Sequence, residues 1–325
     1  MGTPIGIHPR LVLAGASAAF VLAWSSGFLG ARLGTADASP VTLLLWRFLV
    51  VTAVLGLGLT AGRLVRRRRP AAPRGVRGTG AVPRGLRRRR PHPRAVAHHV
   101  LVGLLSQVGY VLPVYGAIGL GVSAGTTSLV DALQPVLAAT LVGPLLGLRV
   151  RALQWVGLAV AAAGVVLLVV SDLRVTAAPG WAYALPVAAV ASLLAGTFLE
   201  RRRPTTLPAT TMLALHATVS AAALGVLAAA TGDLAPPSAP SFWSAIALTA
   251  LVPSLAAYAL YWWLLRRVDV TVLNALLFLV VPTTTVAGAV LFGEPATGLT
   301  AAGVALSGLG VAAVVRGERR HAAPA

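Results

Sequence analysis

Residues 134–169 read QPVLAATLVGPLLGLRVRALQWVGLAVAAAGVVLLV, and residues 281–315 read VPTTTVAGAVLFGEPATGLTAAGVALSGLGVAAVV. Each is a pair of apolar runs joined by a glycine-containing turn. One pattern met twice signals an internal duplication. Other landmarks recur in the same order. GFLGAR (Gly27–Arg32) is echoed by GTFLER (Gly196–Arg201). Pro40 precedes Arg47 by seven residues, and Pro208 precedes His216 by eight. Tyr110 lies 25 residues before Pro135, and Tyr258 lies 24 before Pro282. From Gly27 to Pro135 is 108 residues, whereas Gly196 to Pro282 is 86. An insertion accounts for the difference: segment 62–97 has 36 residues and its counterpart 231–241 has 11.

A helix needs about 20 mostly apolar residues to cross the hydrocarbon core. Ten such stretches follow: 11–31, 41–61, 98–117, 123–145, 152–170, 179–198, 209–230, 242–264, 271–292 and 299–315. They are too long for strands and lack a period of two, which argues against a barrel. Only 11% of the residues are charged, against about 25% in soluble domains. The fold expected is an all-α membrane protein with one repeat at 11–170 and another at 179–315. Five spans is an odd number, so the second copy enters the membrane inverted. Such inverted repeats build many secondary transporters, with the binding site at mid-membrane where the halves meet.

All 27 basic residues other than histidine are arginine. With abundant Ala, Gly, Val and Pro this points to a GC-rich, bacterial genome. Thirteen arginines fall in 62–97, and others at Arg149, Arg151, Arg201–Arg203, Arg266, Arg267 and near both termini. The alternate loops hold only Arg32 and Arg174. The positive-inside rule then places both termini in the cytoplasm. The first apolar stretch is followed by no small-residue cleavage site, so it reads as a span and not a signal peptide. Segment 62–97, rich in Pro, Gly and Arg, is expected to be disordered. It reads as a topology anchor against anionic lipid or as a regulatory or partner-binding segment. No aromatic residues interleave its arginines, so nucleic acid is not an expected partner.

The order LAWSSGFLGARLG, then Pro40, Arg47 and Phe48, then PTTTVAGAVLFGEPATG resembles the drug/metabolite transporter superfamily. More narrowly it is similar to the ten-span EamA-type members, over nearly the whole chain. The resemblance implies a bacterial inner-membrane carrier of small metabolites, often an exporter of amino acids or related compounds. The family often places a glutamate in the turn before the last helix of each repeat. Glu294 fits in the second copy, but the first has LLGLRVRA with Arg149 and Arg151.

Within the spans only Asp131 is acidic and only Arg47 is a strong base. A charge at mid-helix costs about 2.5–3.5 kcal/mol, so each should face a cavity or a partner. Arg47 lies roughly 9 Å, and Asp131 roughly 12 Å, below the ends of their helices on the same side. They are therefore either a structural ion pair or groups that receive substrate or a coupling proton. His216 occupies the inverted counterpart of Arg47's place, either as a packing histidine or in a proton relay. Trp24, Tyr110 and Tyr258 are further candidates to line a cavity, with Tyr115, Tyr261 and Trp262. Pro135 and Pro282 are candidate helix breaks for gating. Gly157, Ala161 and Gly164, with Gly303 and Ser307, suit close helix packing between halves.

The expected activity is secondary transport, in the direction of export, of small metabolites such as amino acids or amphipathic compounds by alternating access. The expected partners are the substrate, the lipid bilayer and a coupling proton, and the assembly is a monomer or a homodimer. No cofactor, metal or catalytic residue is expected. The chain has no cysteine and no nucleotide-binding loop. The alternatives are an integral-membrane enzyme on lipid-linked substrates, or a non-transporting sensor or scaffold that uses segment 62–97.

Overall fold

The computed structural model describes residues 9–68, 93–138, 140, 152–202, 209–268 and 270–322. The rest of segment 62–97, from 69 to 92, lies outside the described residues, as do 141–151. Span 1 is Pro9–Gly34 and span 2 is Pro40–Arg68. Span 3 runs as Pro93–Gly103, a π segment Leu104–Val108, and Gly109–Gly119. Span 4 comprises Ala124–Ala132 and Gln134–Leu137, and span 5 is Ala152–Leu173. Span 6 opens with a 3-10 turn, Gly180–Tyr183, and continues as Ala184–Arg202; span 7 is Ala209–Thr231. Span 8 is Pro240–Leu251, a π segment Val252–Ala256, and Ala257–Leu265. Span 9 is Val270–Phe292 and span 10 is Gly298–Ala322.

Among the described residues, eight helices are long and apolar enough to cross a membrane, and Gly298–Val314 is a shorter apolar one. Large side chains on their outer faces stay uncovered, such as Val226 at 73% and Val290 at 77% exposure. Water would penalise that surface and lipid does not. The chain is a multi-pass membrane protein.

The sequence landmarks become contacts. Glycines with φ of +99°, +80° and +66° (Gly121, Gly232 and Gly293) end spans 3, 7 and 9, the left-handed cap that lacks a Cβ penalty. Spans 5 and 10 lie face to face along their length. A Cβ at Gly157 would come 2.7 Å from Gly310 O, and one at Gly164 would come 2.6 Å from Gly303 O. Ser307 Oγ donates to Ala161 O at 3.0 Å across the same seam.

Three expectations are corrected. Span 2 continues to Arg68, six residues past the expected start of the loop. Span 4 is not one helix from 123 to 145; a turn at Leu133 divides it, and its later part is undescribed. Pro282 does not break span 9, which stays helical from Val270 to Phe292. Pro135 lies in the short piece Gln134–Leu137, two residues after the turn at Leu133.

The inverted duplication is visible in detail. The π segments Leu104–Val108 and Val252–Ala256 each start six residues before the repeat-matched tyrosines, Tyr110 and Tyr258. In each, one amide reaches back five residues: Gly109 N to Leu104 O, and Ala257 N to Val252 O. Gly27 of span 1 packs on Pro253, while Gly196 of span 6 packs on Leu105 and Ser106. Gly27 and Gly196 are repeat mates, as are Pro253 and Leu105.

Candidate functional site

A cavity of about 270 Å³ lies where the two halves meet, among spans 1, 2, 3, 4, 6, 8 and 9. Its lining includes Arg47, Asp131, Trp24, Tyr110, Tyr115, Tyr258 and Tyr261, so seven of the sequence candidates converge on one space. His216 and Pro282 do not reach it. His216 is buried on span 7 against span 3, and Pro282 faces a shallow outer groove with Val286 and Val290.

The cation is held by the π segment of span 8. Pro253 has no N–H, so the carbonyl four residues earlier, Thr249 O, loses its helical donor. Ser254 Oγ donates to that carbonyl at 2.8 Å. Its oxygen is thereby oriented to accept from Arg47 Nε at 3.1 Å and Nη2 at 2.9 Å. Arg47 Nη1 donates to Tyr115 Oη at 2.6 Å, and the guanidinium carbon lies 5.4 Å from the Tyr115 ring centre. A guanidinium has five N–H donors. Three are used, so Arg47 is fixed in place yet keeps capacity for a carboxylate.

The anion is held differently. Asp131 is the penultimate residue of the first piece of span 4, beside the turn where Leu133 N bonds Val130 O at 3.2 Å. The carbonyl end of a helix carries partial negative charge, so carboxylate and helix end together attract a cation. Tyr110 is within hydrogen-bonding reach of one side of the carboxyl. Asp131 Oδ1 is buried with no hydrogen-bond partner among the described residues. No ion pair joins Arg47 to Asp131 among the described residues. The two charges share a cavity without neutralising each other.

Aromatic rings form one wall. Trp24 stacks with Tyr258 at 6.0 Å and lies 6.5 Å from Tyr261, and Phe20 backs Trp24 at 5.5 Å. Ser106, Gln107, Gln134 and Ser254 are functional candidates that the sequence reading missed. Three of them line the cavity, and Ser254 anchors Arg47. Their signal was an amide or hydroxyl within an otherwise apolar run.

On the face with few arginines the helix ends are sealed. The first piece of span 4 starts at Ala124, where two orphan amides need acceptors. Asp172 Oδ2 accepts from Ser123 N at 3.0 Å and from Tyr183 Oη at 3.1 Å. Glu294 accepts from Ala124 N at 3.1 Å with both oxygens. Arg32 Nε stands 4.0 Å from Glu294 Oε1. A Cβ at Gly125 would lie 3.2 Å from Thr285 Cβ, so spans 4 and 9 cross closely here. Asp172 and Glu294 are therefore a clamp between spans 4, 5 and 9.

No curated protein matches the chain. A solved crystal structure, described only as that of a protein, is 22% identical to it. The match covers 94% of this chain and 97% of the other, with a TM-score of 0.58, and shows a shared fold. The EamA-like transporter family matches residues 12–170 and 180–316, one match in each half. With both halves of the inverted architecture matched, the chain belongs to the EamA-like transporter family, and so to the membrane transporters of the drug/metabolite superfamily.

Proposed function

We propose that the protein is a secondary transporter in a bacterial inner membrane that exports small zwitterionic metabolites, such as amino acids, by alternating access. The observation that carries this is the pair of unneutralised charges, Arg47 and Asp131, in one cavity at the junction of the inverted halves. Arg47 receives the carboxylate with its remaining N–H donors. Asp131 receives the ammonium at the end of a half-helix. The rings of Trp24, Tyr258 and Tyr261 take the apolar part. The volume of about 270 Å³ lies below the usual range for drug-sized ligands, about 300–1,000 Å³, which favours a small substrate.

Both termini are cytoplasmic in this reading, by the arginine distribution. The clamp of Asp172 and Glu294 then closes the periplasmic face, and the state described is closed outward. Substrate or proton gradients supply the energy. The test uses proteoliposomes and a panel of labelled amino acids in counterflow. Arg47→Ala and Asp131→Asn should each lower uptake at least about tenfold, the loss of one charged hydrogen bond, with normal insertion. Wild-type flux in both variants would overturn the reading.

A further inference from the structure

The arginine-rich side of the protein holds a second group of titratable side chains, apart from the cavity. His98 and His99 lie on span 3, Glu200 near the end of span 6, and His216 on span 7. His98 Nε2 stands 4.0 Å from Glu200 Oε2. The His98 and His99 rings meet at 5.6 Å and 68°. His216 lies against Gly103, where a Cβ would come 2.9 Å from its Cδ2. His99 is 9% exposed and His216 is 7% exposed. His99 Nδ1 and His216 Nε2 have no hydrogen-bond partner among the described residues. Among those residues no group of three or more His, Cys, Asp or Glu is placed to hold a metal ion. The ligand that buried, unpartnered imidazole nitrogens can accept is a proton.

The duplication says what this group corresponds to. His216 is the repeat mate of Arg47. Arg47 crosses to Ser254, in the π segment of span 8. The matched serine is Ser106, in the π segment of span 3, and His216 abuts Gly103, the residue just before that segment. Ser106 Oγ is turned back onto Val102 O. Arg47 of the first half is thus a permanent cation bonded to the serine of the second half. His216 of the second half is a titratable base near the serine of the first half, whose hydroxyl bonds its own helix.

We propose that His216, with His98, His99 and Glu200 around it, is a proton-binding site that biases the protein between its two facing states. The proposal rests on the alternating-access reading above. In the opposite state the halves exchange conformations, and protonated His216 donates to Ser106 as Arg47 donates to Ser254 here. The proton supplies the charge that the second half lacks. The charged or titratable groups that reach His216 are His99 from span 3 and Glu200 from span 6, and His98 adjoins both of them. Span 2 offers no titratable residue between Arg47 and Arg63, and Arg202 stacks 4.2 Å over Phe198. Charging His216 in the present state buries a cation whose Nε2 has no hydrogen-bond acceptor among the described residues, which is costly. Protonation therefore favours the opposite state, with the arginine-poor face open.

The chain has no cysteine, so a single Thr285→Cys at the sealed crossing of spans 4 and 9 can report opening. The purified protein in nanodiscs is labelled with a water-soluble maleimide at pH 6 and pH 8. Labelling is compared with the same cysteine in a His216→Gln background. That ratio cancels the pH dependence of the reagent and of the Glu294 contact. Relative labelling should rise at least threefold at pH 6. Ser106→Ala should lose the rise, and His216→Arg should label fast at both pH values. Identical pH profiles with and without His216, or a full rise in Ser106→Ala, overturn the proposal. Asp172→Ala with Glu294→Ala separates the two readings. If that variant never raises labelling, alternating access itself fails. If it does while the His216 variants change nothing, only the proton site fails.

Discussion

A guanidinium at mid-helix costs about 2.5–3.5 kcal/mol on insertion scales, and Arg47 offsets that cost with three hydrogen bonds drawn from other helices. Two of them end on Ser254, whose oxygen is aimed because Pro253 frees a carbonyl for its proton to fill. Ser254→Ala should therefore release the guanidinium without removing its charge. Hydrogen bonds to charged groups contribute about 1.5–3 kcal/mol, so substrate affinity should fall about 10- to 100-fold while Arg47→Ala abolishes binding. Substrate KM in counterflow checks this; an unchanged KM in Ser254→Ala would mean that Tyr115 alone positions Arg47. The charges themselves were legible in the sequence because only one acid and one strong base interrupt the spans. Their relation was not. Equal depth allowed an ion pair, and only the orientation of spans 2 and 4 turned both groups toward a shared cavity. Ser254 was missed because a hydroxyl in an apolar run looks like packing until the proline beside it frees a carbonyl.

Two elements carry most of the geometry, the span 5–span 10 seam and the clamp on span 4. The seam depends on backbone approach, since Gly164 and Gly303 each face the other's carbonyl at under 3 Å from a hypothetical Cβ. Gly164→Leu should force the helices apart and cost about 1–3 kcal/mol or more, as overpacking does. The check is the midpoint of thermal unfolding in detergent, with Gly58→Leu, which meets open space, as the control. At the clamp, burial raises the Glu294 carboxyl above its usual value near 4.5, against the opposing Ala124 amide and Arg32. A raised carboxyl binds its proton more tightly in the folded state. The stability it contributes is full below pH 4.5 and is lost as pH rises through the raised value. Glu294→Gln should remove that loss, so wild type and variant should diverge in melting temperature as pH rises from 5 to 8. The seam was legible as small residues at helical spacing, and the repeat was legible in Gly27, Gly196, Tyr110 and Tyr258. The π segments were not, because one extra residue in a turn leaves an all-apolar hydropathy pattern unchanged. The break at Leu133 was hidden for the same reason.

At the scale of the molecule, the inverted halves are alike in backbone and unlike in charge. Glu294 clamps the arginine-poor face, whereas the matching turn of the first half reads LLGLRVRA and carries Arg149 and Arg151. Under the positive-inside rule both features express one asymmetry, the collection of arginine on one side of the membrane. The insertion between spans 2 and 3 extends this bias without a counterpart in the second half. If it serves only to hold topology, it is redundant, because the other arginine-rich loops carry the same bias. Replacing residues 69–92 with an uncharged Gly/Ser linker of equal length removes eight arginines and leaves those loops intact. The linker behaves as a flexible coil of similar reach, so spans 2 and 3 keep their connection. A carrier should keep its orientation and its counterflow rate within about twofold, since the described lining of the cavity and of the clamp comes from other segments. Protease protection of a C-terminal tag reports the orientation, and flux is measured on the same vesicles. Normal orientation with lost flux would show that the arginine segment acts in the transport cycle. Lost orientation would show that the remaining loops are too weak to set topology alone.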